Sequence, residues 1–329
     1  MTSISTERQK LLAMLLKDEG ISVSRSPSIP CRSVVSPTPL SFAQQRLWFL
    51  DQIMSPNAAF NTPAVARLKG EVNVAALERS FNEIIRRHET LRTSFTFADT
   101  QPLQVIAAEY KLTLPVVDLR AEPEERRAAV AERLMMEQVE QPFDLACGPL
   151  LRVKLLRLGQ AEYLVVLVLH HIISDGWSMG VLLGEMGRLY EGFVAGRETE
   201  LEELPIQYGD YAEWQRNWLS GAVLEEQLEY WRRQLAGMAA LQLPTDRPRP
   251  PTQSFRGAAY SFYISAELTT ALRALSKREG VTLFMTLMAT LQTLFYRYTG
   301  QEDMTVSTGT SNRNHPETEA LIGCFINIL

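Results

Sequence analysis

The residues best suited to chemistry in this chain are the adjacent pair His170-His171, followed at once by Ile172-Ile173-Ser174-Asp175-Gly176. An imidazole beside a carboxylate and a glycine can take a proton near neutral pH or orient a reactant. Side chains alternate across a strand, so two adjacent histidines point in opposite directions and only one faces a given cavity. Strand, paired histidines, Asp-Gly turn and helix together form a layout for catalysis more than for packing.

Particular elements must hold that run. Tyr163 to Leu169 is an unbroken apolar, β-branched stretch, which predicts a strand buried on both faces. Met179 to Phe193 has helical periodicity after the glycine turn. A hairpin is expected from Leu150–Leu158 and Tyr163–Leu169 around Gly159-Gln160. Upstream, Ser41-Phe42-Ala43-Gln44 reads as a capping box opening a helix that carries Leu47, Trp48 and Leu50 onward to Ile53. Val74 to His88 reads as a second helix, Leu91 to Phe97 as a strand, and the segment from Pro123 to Val139 as a helix polar on most faces. Further on, Ile206–Leu219 and Val223–Leu235 read as helices rich in Trp and Tyr. The Pro-rich stretch Leu241–Gly257 reads as an extended crossing segment. A strand (Tyr260–Ile264), a helix (Ala266–Arg278), a buried helix (Val281–Tyr298) and a strand (Met304–Thr308) follow. At the front, Thr6–Glu19 reads as a short amphipathic helix and Ser22–Pro39 as a flexible linker.

With 329 residues, the chain can bury a large core in two lobes or domains. At 46% hydrophobic and 22% charged it reads as an ordinary soluble globular protein. A net charge of −5, with no Lys/Arg stripe, argues against a nucleic-acid binder. Cys31, Cys147 and Cys324 are odd in number and far apart, so neither a disulfide framework nor a zinc site is signalled. No signal peptide is visible, and the most apolar helix is broken by polar residues, so no membrane span is expected. The compartment expected is a reducing cytoplasm.

Five stretches carry a family resemblance. Leu40–Leu50 (LSFAQQRLWFL), Arg87–Phe95 (RHETLRTSF), His170–Leu182 (HHIISDGWSMGVL), Tyr208–Arg216 (YGDYAEWQR) and Ile322–Leu329 (IGCFINIL) resemble, in order, five motifs of the condensation domains of non-ribosomal peptide synthetases. In the fifth the family more often continues Phe-Val-Asn-Thr. The resemblance covers Leu40 to Leu329. It implies an α/β (α+β) fold of the two-lobed chloramphenicol-acetyltransferase-like class. Residues 1–37 would form an N-terminal helix and flexible linker (a possible docking element), 38–205 the N-terminal lobe and 206–329 a partial C-terminal lobe. The chain ends at Leu329 inside an apolar run, so it reads as truncated, and the isolated chain is expected to be poorly soluble or inactive. Both histidines are kept where heterocyclising relatives have aspartates, and Trp177-Ser178-Met179-Gly180 stands where epimerising relatives continue Val-Ser-Trp-Arg. The first motif is similar to that of the subtype joining an L-configured donor to an L-configured acceptor.

The activity implied is amide-bond-forming acyl transfer. An aminoacyl or peptidyl thioester on an upstream carrier protein is attacked by the amine of an amino acid on a downstream carrier. The 4′-phosphopantetheine arms belong to the carriers, and neither a cofactor nor a metal is expected on the chain itself. No enzyme residue need be acylated, and no nucleophile elbow of the G-x-S-x-G kind is expected. By match to the family, His171 is the catalytic residue and His170 is structural. A carboxylate at Asp175 could polarise the imidazole as in a triad, but the role expected is a buried ion pair with Arg313, a bidentate pin across the two lobes. Gly176 is either room for the pantetheine arm or a plain turn glycine. Carrier proteins and an adjacent adenylation domain are the implied partners of a monomer that binds neither nucleic acid nor membrane. Antibiotic-type secondary metabolism is the implied setting.

Blander roles are expected elsewhere: structural pairing for Arg46 and Arg92, surface or capping positions for His88 and His315, packing for Trp214, Trp218 and Trp231, and a helix N-cap for Ser178. Two rivals share the central motif: a free-standing coenzyme-A-dependent acyltransferase, and a non-catalytic carrier-binding module.

Overall fold

The structure is a computed structural model that describes residues 28–33, 37–54, 58–98, 100–197, 199, 201–248, 250–251 and 257–329. These fall into two compact units: one runs to Trp218 and includes Ser311–Asn327, and the other is Leu219–Thr310 with Ile328–Leu329. The helix expected over Thr6–Glu19 lies outside the described residues.

In the first unit, β1 (Thr38–Pro39) leads into helix α1 (Phe42–Ile53), whose start is the expected capping box: Ser41 Oγ accepts from Gln44 N, and Gln44 Oε1 accepts from Ser41 N. Strand β2 (Asn61–Lys69) follows, then α2 (Val74–Arg87), capped by Asn73. Leu77, Phe81, Ile84 and Ile85 recur on the buried face of α2. Each such side chain contributes about 1.5–3 kcal/mol by leaving water. The strand expected from Leu91 instead begins at Thr93. Glu89–Arg92 forms a 3-10 turn, because Leu91 N turns back to His88 O and Thr93 Oγ1 to Glu89 O. Strands β3 (Thr93–Ala98) and β4 (Gln101–Ile106) form a hairpin, and β4 also pairs with β1.

The main sheet has the order β2-β7-β6-β5. Strand β5 is Val116–Asp118, β6 is Leu151–Gly159 and β7 is Glu162–His170. Only β5 runs parallel to its neighbour; the other pairs are antiparallel. Residues Leu151, Val153 and Leu155 on β6, with Leu167 and Leu169 on β7, face one core with α2 and α4 (Gly176–Val194). The alternate residues Leu156, Leu158, Leu164, Val166 and Val168 face a second core, covered by α3 (Glu124–Glu140) through Ala131 and Leu134. Both faces of β7 are therefore dry, which is why its sequence shows no polar alternation.

Helix α5 (Tyr208–Trp218) closes the first unit through a small core of Ile29, Ile206, Tyr208, Tyr211 and Phe325. The linker expected to be flexible over Ser22–Pro39 is docked where it is described. Ile29 is buried in that core, and the Arg32 side chain is buried against Glu89 and Asp210.

The second unit contains α6 (Gly221–Gln234), α7 (Ala266–Arg278) and α8 (Leu283–Thr299). Helices α7 and α8 touch through Ser276 Oγ and Thr286 Oγ1 at 2.7 Å. Two strand expectations fail here. Tyr260–Ile264 has no ladder partner among the described residues, and Tyr263 is 98% exposed; Met304–Thr308 is likewise unpaired except that Thr308 exchanges backbone hydrogen bonds with Leu329. The helix expected to be buried forms, but Phe284, Met285 and Leu294 stand at least half exposed. Its apolar residues record a face without a described cover. No helix among the described residues is long and apolar enough to cross a membrane.

Candidate active site

Strand β7 ends at His170, and the two histidines separate there as the strand geometry requires. His170 sits with Val166 and Val168 on the α3 side, edge-on to the rings of Phe60 and Phe143. Its Nδ1 accepts from Ile172 N at 3.1 Å, so the imidazole caps the following turn. Burial, and then the neighbouring His171, lower its pKa to about 4, and it stays neutral.

His171 opens a 3-10 turn (His171–Ile173) and is only partly buried. Its backbone N donates to Phe60 O at 2.8 Å. Its Nδ1 lies 2.7 Å from Ser174 O. A carbonyl oxygen only accepts, so Nδ1 carries a proton, and in the neutral tautomer this leaves the lone pair on Nε2. Among the described residues Nε2 has no hydrogen-bond partner. The Sγ of Cys324 stands 4.0 Å from Nδ1. Burial pushes this thiol up to about 12, which keeps it neutral and unreactive.

Asp175 does not touch the imidazole. It is the N-cap of α4: its Oδ1 accepts from Ser178 N (2.9 Å) and Ser178 Oγ (2.7 Å), and its Oδ2 accepts from Phe325 N (3.0 Å). The expected partner Arg313 is present, with Nη2 3.2 Å from Asp175 Oδ1. The pair is single-point where a bidentate one was expected, because Nη1 is spent on the carbonyls of Thr318 and Leu321. Both residues are buried, and Arg313 also lies over the Phe325 ring at 3.9 Å. Burial lowers the Arg313 pKa, and Asp175 opposes that shift.

Ser178, expected as the N-cap, is the third residue of the helix instead. Gly176-Trp177-Ser178-Met179-Gly180 does spell G-x-S-x-G, the spacing of a nucleophile elbow. The structure removes that role. Ser178 is 1% exposed, and its hydroxyl also meets Arg313 Nη2 (3.0 Å) and both backbone groups of Gly323. Gly176 opens the helix without a positive φ, and a Cβ placed there meets nothing within 4 Å. Neither backbone conformation nor packing demands glycine at that position.

The segment Ile322–Phe325 walls this site and is held at every residue. His88 Nδ1 accepts from Ile322 N (3.4 Å), Thr90 Oγ1 donates to Ile322 O, Ser178 binds Gly323, and Tyr208 Oη donates to Cys324 O (2.6 Å). A Cβ at Gly323 would overlap the Tyr208 ring, so this close approach does require glycine. Sequence reasoning missed several of these groups. His88, expected at the surface or as a cap, is the C-cap residue of α2 but only 1% exposed, with Nε2 2.8 Å from Glu185, which also holds Arg87. Gln44, which the sequence marks only as part of a cap, also donates to Ile172 O at 3.3 Å and so ties α1 to the histidine turn. Tyr208 meets Ser41 Oγ at 2.7 Å.

Of the remaining residues, Arg92 pairs as expected, with Ala107 O and weakly with Glu89. Arg46 makes no ion pair among the described residues. His315 is largely buried against the Trp214 ring, which stacks on Trp218; Trp231 pairs instead with Tyr230. No group of metal-ligating side chains occurs among the described residues.

Comparison with known proteins places the chain in a family. The condensation-domain family profile matches residues 36–329. A linear gramicidin synthase polypeptide of Brevibacillus parabrevis is 47% identical over 324 residues, 98% of this chain but only 4% of that protein. The X-domain from teicoplanin biosynthesis superposes with a TM-score of 0.81 at 28% identity, over 92% of this chain and 66% of that one. The first condensation domain of the CDA synthetase has the same mixed α/β, chloramphenicol-acetyltransferase-like fold, with a TM-score of 0.72 at 22% identity over 91% of this chain and 70% of that domain. The chain thus spans a small fraction of its synthetase relative and about two thirds of the solved domains. On the matched profile and the 47% identity, the chain belongs to the condensation-domain family of non-ribosomal peptide synthetases.

Proposed function

We propose that this chain catalyses amide-bond formation between two carrier-bound substrates, with His171 at the reacting atoms. The observation that carries the reading is the fixed tautomer of His171. Its Nδ1 proton is committed to Ser174 O, and its Nε2 lone pair is left for the incoming amine. The amine nitrogen attacks the thioester carbonyl carbon, the new C–N bond forms, and the C–S bond breaks. The proton lost by the amine passes to Nε2 and from there to the departing sulfur. An α-amine has an ordinary pKa of about 7.7–8.0, so an appreciable fraction is already neutral near pH 7. His171 therefore has less work to do than a base that must activate a serine hydroxyl. It serves as general base during attack and as an orienting group before it.

The other site residues support that imidazole. His170 caps the turn from behind, and Asp175 with Arg313 fixes the start of α4 against the Ile322–Phe325 wall. Gly176 leaves space for the thioester-bearing arm. In this reading the arms are 4′-phosphopantetheines of an upstream donor carrier and a downstream acceptor carrier, beside an adenylation domain. The donor and acceptor are both L-configured, the chain works as a monomer in the cytoplasm, and a peptide secondary metabolite results. Residues 38–205 and 206–329 correspond to the two lobes of the family, with 1–37 preceding them.

The test offers one acceptor, an aminoacyl carrier, with two alternative donors: an aminoacyl carrier or an acyl coenzyme A. Mass gain on the acceptor from the carrier donor alone supports the reading. Consumption of coenzyme A thioester with no gain from carriers supports a free-standing acyltransferase, and binding without transfer from either donor supports a recruitment module.

A further inference from the structure

The segment before the first motif reaches the active-site wall through Arg32. The Arg32 side chain is 4% exposed, although it lies in a stretch of Ser and Pro that reads as linker. Its Nη1 and its backbone N both bond Asp210 Oδ1 at 3.0 Å, and its Nη2 pairs with Glu89. The fold makes room for it. A Cβ at Gly209 would overlap the Arg32 guanidinium, so the glycine of Tyr208-Gly209-Asp210 clears a place for that group. Ile29 beside it is buried with Tyr208, Tyr211 and Phe325.

Glu89 stands between two residues that hold the wall, His88 and Thr90, which together take both backbone groups of Ile322. The same strip is braced by Gln207: Glu89 N donates to Gln207 Oε1, Gln207 Nε2 donates to Arg87 O, and Gln207 N donates to Asp210 Oδ2. Arg32 thus bridges the two acids that set the relation of the 88–90 turn to α5. Those two elements hold Ile322 through His88 and Thr90 and the Cys324 carbonyl through Tyr208, while Ser178 and Asp175 hold Gly323 and Phe325. Two residues beyond Ile322, the Cys324 thiol stands 4.0 Å from His171 Nδ1.

We propose that Arg32 is a positioning residue of the active site. The Ile29–Arg32 strap, bound across Glu89 and Asp210, fixes the Ile322–Phe325 wall against His171, so release of the strap loosens the wall and lowers transfer. The catalytic consequence rests on the function proposed above; the coupling of strap to wall does not.

The test is hydrogen exchange on the full chain, read at the hydrogen-bonded amides of Ile322, Gly323 and Phe325 and at the β6–β7 hairpin as an internal reference. Arg32→Gln is expected to speed exchange at the three wall amides about tenfold with no change in the hairpin. Glu89→Gln should reproduce the effect, and the double variant should exceed neither single one, because the two residues act through one contact. Arg32→Lys, which keeps a cation within reach of one carboxylate, should recover part of the protection. Gly209→Ala, which crowds the guanidinium while leaving Arg32 in place, should loosen the wall as well. Unchanged wall amides in Arg32→Gln, equal acceleration in wall and hairpin, or additive effects of Arg32→Gln and Glu89→Gln would each overturn the proposal. Carrier-to-carrier transfer measured on the same variants separates the two claims. If the wild-type chain transfers nothing while the wall still responds to Arg32, the proposed function fails and the coupling stands.

Discussion

His171 gives its Nδ1 proton to the carbonyl oxygen of Ser174, three residues along the same turn, and receives nothing from Asp175. A backbone carbonyl fixes the tautomer without adding a charge. The arrangement therefore orients an imidazole but does not make the charge-assisted pair of a serine-protease-like triad. Asp175 acts on the fold. Its two oxygens join the start of α4 to Arg313 and to the wall at Phe325.

Asp175→Ala should accordingly lower stability by about 3–5 kcal/mol, the cost of stranding one member of a buried pair. Arg313→Ala should cost a similar amount. Urea unfolding of both and of the double variant checks this: a double variant close to either single one shows a shared contact, and fully additive losses show two separate roles.

His170 makes stability depend on pH. Its folded pKa of about 4 lies below the ordinary value of 6.5, so between those values the unfolded chain holds a proton that the folded chain does not. Stability is therefore full above about pH 6.5 and falls as the pH drops toward 4, by on the order of 3 kcal/mol. Unfolding free energies from pH 7 to 4.5 should show this slope in the parent chain and a flatter one in His170→Phe, although the variant is less stable at pH 7.

Gly176→Ala separates a ligand's need for space from the fold's. Alanine suits a helix start at least as well as glycine, and a Cβ here meets nothing within 4 Å, so stability should hold or rise by up to about 1 kcal/mol. Transfer should fall, chiefly through a raised KM for the carrier-bound substrate. Full activity in a stable variant would return Gly176 to an incidental role.

Deleting residues 1–27 and deleting residues 1–37 should have different effects. The longer deletion removes Ile29 and Arg32 and exposes the small core beside α5; the shorter one leaves both in place. Thermal unfolding should place the longer deletion below the shorter one. A loss of transfer between separate polypeptides already present in the shorter deletion, which keeps Ile29 and Arg32, would report docking by residues 1–27.

Much of this architecture is legible in the sequence where local physics decides it. Tyr163–Leu169 reads as a doubly buried strand because its residues are apolar on both faces, and the S-x-x-Q box marks the first residue of α1. Asp175 and Arg313, 138 positions apart, meet as the family motifs imply. Other features depend on neighbours distant in sequence. Nothing local distinguishes the buried His88 from a surface histidine at a helix end; Glu185, on another helix, makes the difference. Arg32 reads as linker because its acids lie in two other segments. Ser178 reads as a cap, although Asp175, three residues earlier, already fills that position. Tyr260–Ile264 and Met304–Thr308 have strand composition, but a strand exists only beside another strand.

The most direct test of the central claim is the initial rate at which a downstream aminoacyl carrier gains one acyl unit from a loaded upstream carrier. It is read by intact mass for the parent chain and for His171→Ala. A base and orienting group at His171 predicts a rate lower by about 10²–10⁴ in the variant, with unfolding behaviour unchanged. Equal rates in a folded variant would contradict the account and leave His171 without a part in the chemistry.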